Sequence, residues 1–343
     1  MNTKSTDQRL SPKYLVWVRC FTYNQSQYIV DALDGFCKQV TDFPFVCTIV
    51  DDASTDGEQA VIRKYLIDNF EMEDNAVVRN EKTEQYQRIF ARHRYNHNCY
   101  FSVLFLQENH YSIKKSKWPY LVEWAENSEY HALCEGDDYW TDSNKLQRQV
   151  EYLICHPECS AISENALVLD VDSGEEQPFR NDNEHYLSVD DLALKQRVPT
   201  ASLMYRASAL DKMYYSVKRT FDRTLFCFLA SNGYFYYNAI ISSIYRKGSG
   251  VTAKVDPLLF AKKEKDWHLE LLSLFPQYIE KNEVKRKIIL LFIVAANRYI
   301  KQNIITYKIL LCYKEGFMVC PRIFVNQMVK QYIQAIRRKL ANR

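Results

Sequence analysis

Three carboxylates lie within four residues near the middle of the chain, at Glu135, Asp137 and Asp138. They follow a short apolar run, and Gly136 between them lets the backbone turn sharply and approach another group closely. Acidic side chains this close repel each other, which raises their pKa values unless a cation neutralises them. Oxygen ligands on a tight turn suit a hard divalent ion such as Mg²⁺ or Mn²⁺. The stretch is therefore a candidate metal-binding turn, although an isolated acidic triplet is more simply interpreted as a solvated turn.

The acidic turn has to be positioned by other elements, and the chain upstream predicts a parallel sheet. Residues 14–20 and 45–50 are apolar runs typical of buried strands, and each precedes a segment with apolar residues at helical spacing. Further apolar runs at 100–106 and 130–134 continue the pattern. Strands that alternate with helices pair in parallel, and open α/β sheets bind ligands at the carboxyl ends of their strands.

Polar residues follow the first of these strands at Thr22, Tyr23 and Asn24. A helix is expected next, over about residues 27–39, and Asn24 or Ser26 can cap it. Aromatic rings on loops make good platforms for bases and sugars, although most of the aromatic residues of the chain are expected to lie in the core.

The second strand runs into a polar segment, residues 51–57, that matches the first half of an EF-hand calcium loop. The twelfth loop position should be a bidentate glutamate, but it is Arg63, and a strand precedes the segment where a helix should. We therefore reject calcium binding. The remaining alternatives are a loop in which Asp52 accepts hydrogen bonds from a base or ribose, and a helix cap, for which Ser54 or Thr55 would suffice.

Composition excludes several classes of protein. The 343 residues are 47% hydrophobic and 25% charged, as in ordinary globular proteins. There is no GxGxxG and no GxxxxGK[ST], so the dinucleotide fingerprint and the P-loop are both missing. The ten cysteines include no CxxC pair, which excludes the usual zinc spacing. The amino-terminal residues lack the apolar core of a signal peptide, and we expect a cytoplasmic protein with reduced thiols.

The net charge of +3 is unevenly distributed along the chain. From Lys281 onward there are fourteen basic and two acidic residues, a balance of +12, so residues 1–280 carry a net −9. The pattern from 256 to the end is helical, and we expect this basic extension to bind an anionic membrane surface on the inner face of the cell membrane. The alternative is a helical cap packed on the acidic body. No motif of a nucleic-acid-binding module occurs, so no nucleic-acid partner is expected.

Ordered motifs over about residues 14–252 resemble the family 2 glycosyltransferases of the bacterial polysaccharide type. The matching segments are residues 22–24, 50–57, 135–140, 145–149, 203–206 and 245–250, together with Asp222. The resemblance implies an α/β fold of GT-A type, with a Rossmann-like, mostly parallel mixed sheet flanked by helices. It implies a glycosyltransferase domain over 1–255, with a nucleotide-sugar half at about 14–140 and an acceptor half at 141–255, followed by a helical extension over 256–343.

The resemblance also implies roles for individual residues. The donor-binding residues would be Thr22, Tyr23, Asn24, Asp52, Ser54, Glu135, Asp138 and Arg246. Tyr23 and Asp52 would hold the base of a nucleotide-sugar, with a UDP-sugar as the expected donor. Asp137 and Glu135 would bind Mg²⁺ or Mn²⁺. Asp138 would face the donor sugar, Arg246 the diphosphate, and Asp222 would be the general base.

Two positions depart from the family pattern. The first acid of the metal motif is glutamate at 135 instead of aspartate, which adds a methylene group. Many relatives carry a histidine after the position of Arg246, whereas this chain has Lys247 and Gly248, so no third protein ligand is expected. The leading hypothesis is a metal-dependent, inverting transferase that moves a sugar to a glycan or lipid-linked acceptor. The alternative is a non-catalytic sugar-nucleotide-binding or assembly subunit on the same fold.

Overall fold

A computed structural model describes residues 14–73, 79–195, 197–210, 214, 222–248, 255–302 and 307–341, with side chains omitted at 332 and from 335 onward. Of the motifs above, residues 249–250 lie outside the described part. The chain divides into two compact units. The first comprises Met1–Leu187, Val198–Thr220 and Phe228–Gly250, and the second comprises Ser188–Arg197, Phe221–Cys227 and Val251–Arg343. The second unit thus draws two short segments from the region that the sequence division at 255 assigns to the first domain.

The first unit is built on one mixed sheet. Its strands are β1 Val16–Thr22, β2 Phe45–Asp51, β3 Arg79–Lys82, β4 Tyr86–Arg92, β5 Cys99–Leu106, β6 Tyr130–Leu133, β7 Tyr139–Trp140, β8 Cys159–Asp170, β9 Glu176–Pro178, β10 His185–Leu187, β11 Leu203–Arg206 and β12 Tyr234–Lys247. The strand order is β10-β12-β8-β11-β6-β1-β2-β5-β4-β3, with β7 beside β12 and β9 beside β8. The helices of this region are α1 Ile29–Cys37, α2 Glu58–Asn69, α3 Val122–Ala125, α4 Lys145–Cys155 and α5 Asp222–Ser231.

The centre of the sheet is parallel. Strands β5, β2, β1 and β6 pair in parallel, as the alternation of strands and helices predicts. Most of the flanking pairs are antiparallel, and short connections join β3 to β4 and β4 to β5. The predicted α/β fold with a mixed sheet flanked by helices is confirmed, and outside the centre β8 and β12 also pair in parallel.

Both faces of the central strands are covered. Val16 and Val18 of β1 point to the face on which α1, α2 and α4 supply Leu33, Ile62 and Leu146. Trp17 points to the opposite face. There it packs in a cluster with side chains of β2, β5 and α3, namely Val46, Val50, Leu104 and Trp124. Because both faces are buried, these strands can be uniformly apolar, and their polar residues lie where the strands end.

Helix α1 starts without the predicted cap. Its N-cap residue is Tyr28, which makes no side-chain cap hydrogen bond. The prediction of Asn24 or Ser26 as the cap is therefore wrong, because the Asn24 side chain accepts from the amide of Thr55 instead. At α2, Oδ1 of Asp56 accepts from the amide of Glu58 at 3.1 Å, a role that the sequence assigned to Ser54 or Thr55.

The second unit is mainly helical. Its four long helices are α6 Pro257–Leu274, α7 Lys281–Lys301, α8 Tyr307–Val319 and α9 Pro321–Ala341. Among the described residues of these four helices, α7 has the largest number of buried apolar side chains, including Ile288, Ile289, Phe292 and Ile293. In the part of the chain that the structure describes, no helix is long and apolar enough to cross a membrane.

Candidate active site

Three polar segments meet at one edge of the sheet because the strands before them are in parallel register. Thr22 at the end of β1 lies opposite Asp51 at the end of β2. On the other side of β1, Arg19 lies opposite Leu133, the last residue of β6. The segments that begin at 22, 51 and 134 are therefore neighbours at the carboxyl ends of the strands, where such sheets bind ligands.

The acidic turn after β6 is fastened to β1. Oε2 of Glu135 accepts a hydrogen bond from the amide of Phe21 at 2.8 Å, and the amide of Gly136 donates to the carbonyl of Phe21 at 3.0 Å. A Cβ atom on Gly136 would lie 2.4 Å from Oγ1 of Thr22. Only glycine fits this contact, which explains the glycine between the acids. Oε1 of Glu135 also lies 3.7 Å from Nη2 of Arg19.

The remaining two acids of the turn differ in exposure. Asp137 is half-buried, whereas Asp138 is only 5% exposed. Oδ1 of Asp138 accepts from the backbone amide of Arg246 at 2.8 Å. Burial, and then the charge of Asp137, holds the pKa of Asp138 well above its ordinary value. Asp138 is thus positioned by β12 beneath the turn.

Arg246 is buried and already engaged by the protein. Its Nη1 donates to the carbonyl of Asp137 at 2.9 Å, and its Nη2 forms an ion pair with Asp31. The guanidinium lies over the rings of Tyr28 and Tyr139, 4.7 and 4.5 Å from their centroids. Its role toward a diphosphate stays a prediction; in this structure it fixes the backbone of the acidic turn.

The loops after β1 and β2 are joined by a residue that the sequence analysis missed. Glu58, the first residue of α2, is fully buried. Its carboxylate accepts from the hydroxyl of Thr22, from the amide of Gln25 at 2.9 Å and from Oγ of Ser54 at 2.9 Å. Burial raises the pKa of Glu58 above its ordinary value even though these donors lower it. Its position directly after Gly57 in the polar segment was the available signal.

Asn24 and Ser54 tie the same two loops together nearer the solvent. The amide of Asn24 donates to Oγ of Ser54 at 2.9 Å, and the amide of Thr55 donates to Oδ1 of Asn24 at 2.7 Å. Asn24 has a left-handed backbone (φ 55°), which asparagine tolerates better than most residues. Tyr23 beside it is 39% exposed, so its ring is accessible for stacking.

Asp52 contacts the loop that follows β5. Its carboxylate accepts from the amides of His110 and Tyr111 at 2.8 and 3.1 Å, and Nζ of Lys117 lies 2.8 Å from Oδ2. Asp52 is 4% exposed, so its ability to bind a base stays a prediction. Lys117 was not singled out from the sequence, because a lysine in a polar loop carries no distinguishing pattern.

Comparisons with known proteins agree with this arrangement. Residues 20–165 match the sequence model described as Glycosyl transferase family 2, and this range includes the ends of β1, β2 and β6. Over residues 20–165 the chain is therefore similar to family 2 glycosyl transferases.

An uncharacterized protein of Mycobacterium tuberculosis is 34% identical over 190 residues, which are 54% of this chain and 45% of that protein. A protein of Mycobacterium bovis matches to the same extent. The chain thus spans about half the length of the curated relatives it matches.

Solved structures agree on the fold of the glycosyl transferase domain. The crystal structure of S. aureus TarS 1-349 in complex with UDP-GlcNAc superposes with a TM-score of 0.55 at 16% identity, over 90% of this chain and 82% of that one. Another crystal structure of TarS 1-349 gives a TM-score of 0.50 at 14% identity, with the same coverage. At these identities the likeness establishes the GT-A fold.

Asp222 is the remaining predicted site residue outside the glycosyl transferase match. It is the first residue of α5, is exposed to solvent and belongs to the second compact unit. The apolar residues Leu225, Phe226 and Leu229 that follow it are buried, as the helical pattern predicts. Its role as general base stays a prediction.

The carboxylates of the glycosyl transferase domain do not form a complete cage for a metal. Among the described residues, no three His, Cys, Asp or Glu side chains are grouped as a metal site. Mg²⁺ is usually held by one or two carboxylates together with substrate phosphates, instead of by protein ligands alone. Glu135 and Asp137, two partly exposed oxygen donors on one turn, fit that mode of binding.

Proposed function

We propose that the protein is a metal-dependent, inverting glycosyltransferase that moves a sugar from a UDP-sugar to a glycan or lipid-linked acceptor in cell-surface polysaccharide synthesis. The observation that carries the proposal is the acidic turn. Glu135 and Asp137 are held at the carboxyl edge of a parallel sheet, next to the loops after β1 and β2, within a family 2 domain. TarS, which shares the fold, was crystallised with UDP-GlcNAc, and this supports a UDP-sugar as donor.

Donor binding would use residues from three loops. Tyr23 offers an exposed ring for the base, while Asn24, Ser54 and Glu58 hold the first two loops in one conformation. Asp52 would receive the base or ribose from the β2 loop. Asp138, at the base of the acidic turn, would contact the sugar.

Asp137 and Glu135 would hold Mg²⁺ or Mn²⁺ at the diphosphate. Such an ion would neutralise the charge that develops on the departing diphosphate. Arg246 supports this role from the protein side, because it fixes the carbonyl of Asp137 and so the position of the turn.

The transfer itself requires one bond to form as another breaks. An acceptor hydroxyl oxygen bonds to the anomeric carbon, the bond from that carbon to the diphosphate oxygen breaks, and the hydroxyl proton passes to a base. Asp222 is the proposed base. Attack from the side opposite the diphosphate inverts the configuration of the sugar.

The direct test is turnover of nucleotide-sugars by the purified chain. With Mn²⁺ present, we expect slow release of UDP from one member of a UDP-sugar panel even without acceptor, and little release by Asp137→Asn. Binding of UDP-sugars without any release, with or without candidate acceptors, would favour the non-catalytic alternative. Failure to bind any nucleotide-sugar would reject both. We place this activity in the cytoplasm, at the inner face of the cell membrane.

A further inference from the structure

The last two helices expose apolar side chains that no other described element covers. On α8, Leu310 and Met318 are 71% and 72% exposed. On α9, Val325, Val329 and Ile333 are exposed at intervals of four residues, so they form one stripe. Exposed apolar patches of this kind mark interaction surfaces.

Helix α9 packs by its other face only. Ile323, Phe324, Gln327 and Met328 are partly covered, and the ring of Phe324 contacts Phe317 of α8. No residue of α9 whose side chain is described is fully buried. The stripe is thus the outer side of a helix whose inner side is already in contact with its own unit.

The charge around the stripe has one sign. Arg322 and Lys330 are exposed beside it, and Lys314 lies among the exposed apolar residues of α8. After Glu315 the sequence has six basic residues and no acidic residue. An apolar stripe whose exposed charged neighbours on α9, Arg322 and Lys330, are cations is complementary to an anionic lipid surface, in which acyl chains and headgroups satisfy both features.

A shallow cavity lies beside the stripe. Its volume is about 280 Å³, and it is lined by Arg286 of α7 and by Ile323, Asn326, Gln327, Val329 and Lys330 of α9. Lys330 and two amides at the mouth of a partly apolar depression suit the phosphate headgroup of a lipid, whereas Arg286 is already paired with Glu283.

We propose that the outer faces of α8 and α9 form a docking surface for anionic phospholipid membranes. Val325, Val329 and Ile333 enter the interface between headgroups and acyl chains, while Arg322 and Lys330 contact lipid phosphates. The surface does not depend on the proposed transferase activity, because it shares no residue with the acidic turn.

The test is co-sedimentation of the full chain with vesicles at low salt. We expect binding to vesicles that contain phosphatidylglycerol and little binding to pure phosphatidylcholine. Val325→Glu/Val329→Glu should abolish it. Leu259→Glu/Leu269→Glu, which changes two exposed leucines of α6 and makes the same charge change, should leave it nearly unchanged.

The charge contribution is tested separately. Arg322→Gln/Lys330→Gln should weaken vesicle binding by roughly tenfold or more, because each basic residue near an anionic surface contributes to the free energy of membrane binding. The matched variant Lys263→Gln/Lys281→Gln has the same net charge and should bind like wild type. The proposal would be overturned if each variant of α9 and its matched control lost vesicle binding equally. An absence of vesicle binding by wild type would also overturn it. A dimer dispersed by Val325→Glu/Val329→Glu, without vesicle binding, would identify a second copy as the occupant instead.

Discussion

At the scale of single residues, the two candidate metal ligands differ in what they already contact. Glu135 accepts from the amide of Phe21 and lies near Arg19, so part of its binding capacity serves to hold the turn. Asp137 contributes its backbone carbonyl to Arg246 and keeps its carboxylate partly exposed. Asp137 should therefore be the more important ligand.

We expect UDP to bind tightly with Mn²⁺ and weakly in EDTA, because the carboxylates of the turn repel an anionic diphosphate without a cation. Asp137→Asn should remove most of the Mn²⁺-dependent gain. Isothermal titration calorimetry measures both effects, with Asp172→Asn, an exposed acid on the β8–β9 turn, as control. Equal affinity for UDP with Mn²⁺ and with EDTA would refute the metal assignment.

Asp222→Asn tests the general base. Asparagine keeps the size of the side chain, but it cannot accept the proton of an acceptor hydroxyl. We expect transfer to fall by about 10²–10⁴-fold, with the affinity for UDP and Mn²⁺ unchanged. Asp266→Asn, an exposed acid on α6, is the control. Transfer at the wild-type rate would remove Asp222 from the mechanism.

At this scale the sequence identified residue types better than their contacts. The acids at 135, 137 and 138 lie on one turn as predicted, because residues adjacent in the chain stay together in any fold. The burial of Asp52 and Arg246 could not be predicted, since it depends on Lys117 and Asp31, which are distant in sequence. Glu58 was missed because a carboxylate in the first turn of a helix is usually a solvated favourable charge.

At the scale of elements, Glu58 joins the start of α2 to the loop after β1. In Glu58→Gln an amino group replaces one of two oxygens that accept hydrogen bonds from nearby donors. One of these donors is the backbone amide of Gln25, which cannot rotate away from the substituted group. A buried donor without an acceptor costs about 1–3 kcal/mol. We expect that loss in urea unfolding, together with a higher KM for the donor. A Glu58→Gln variant as stable as wild type, with an unchanged KM for the donor, would show that Glu58 does not position the loops. The control is Glu129→Gln, which changes an exposed acid of the first unit.

Helix α4 begins with a lysine that the fold buries completely. Nζ of Lys145 donates to Oε1 of Gln149 at 2.8 Å and lies 4.3 Å from the ring centroid of Trp140. Burial lowers the pKa of Lys145 from 10.5 to about 8. From the sequence, a lysine at a helix start would be placed in solvent.

Lys145 should therefore make stability depend on pH in the alkaline range. Between about pH 8 and 10.5 the unfolded chain binds a proton at this lysine that the folded chain has lost, so the free energy of unfolding gains a contribution that rises with pH. Lys145→Met should lack that contribution. Urea unfolding of both proteins across this range measures the difference, and Lys64→Met, at an exposed lysine of α2, should behave like wild type. Parallel pH profiles for wild type and Lys145→Met would contradict the assignment.

Elements with a strong hydrophobic pattern in the sequence were predicted, whereas elements with a weak hydrophobic pattern were not. Strand β2 is buried at every position, and its unbroken apolar run could be assigned from the sequence. Strand β3, Arg79–Lys82, is exposed at every position and charged or polar throughout. Its strand conformation comes from pairing with β4, which is a tertiary contact and leaves no local signal.

At the scale of the whole molecule, the family match and the charge asymmetry concern different parts of the chain. The family 2 match ends at residue 165, whereas the excess of basic residues begins at 281. Because charge is additive along the sequence, composition alone distinguishes the acidic and basic regions. The inclusion of Ser188–Arg197 and Phe221–Cys227 in the second unit could not be predicted, since it results from packing between segments far apart in the chain.

Donor binding should accordingly be visible in one region of the molecule. The amides of Asn24 and Thr55 are bonded within exposed loops, where local opening costs little free energy and exchange is fast. A ligand that binds only the closed loops slows their exchange by up to the factor 1 + [L]/Kd, about 100-fold when UDP and Mn²⁺ are at 100 times Kd. Hydrogen exchange followed by mass spectrometry should thus show protection at residues 22–28, 51–58 and 135–140. Peptides from α7 and α9 serve as the internal control. The only anionic group of UDP is its diphosphate, and in the proposed complex the metal site already holds that group, so none remains to bind the basic extension. Protection confined to those helices would mean that the diphosphate binds the basic extension, and the donor site proposed at the carboxyl edge of the sheet would then be wrong.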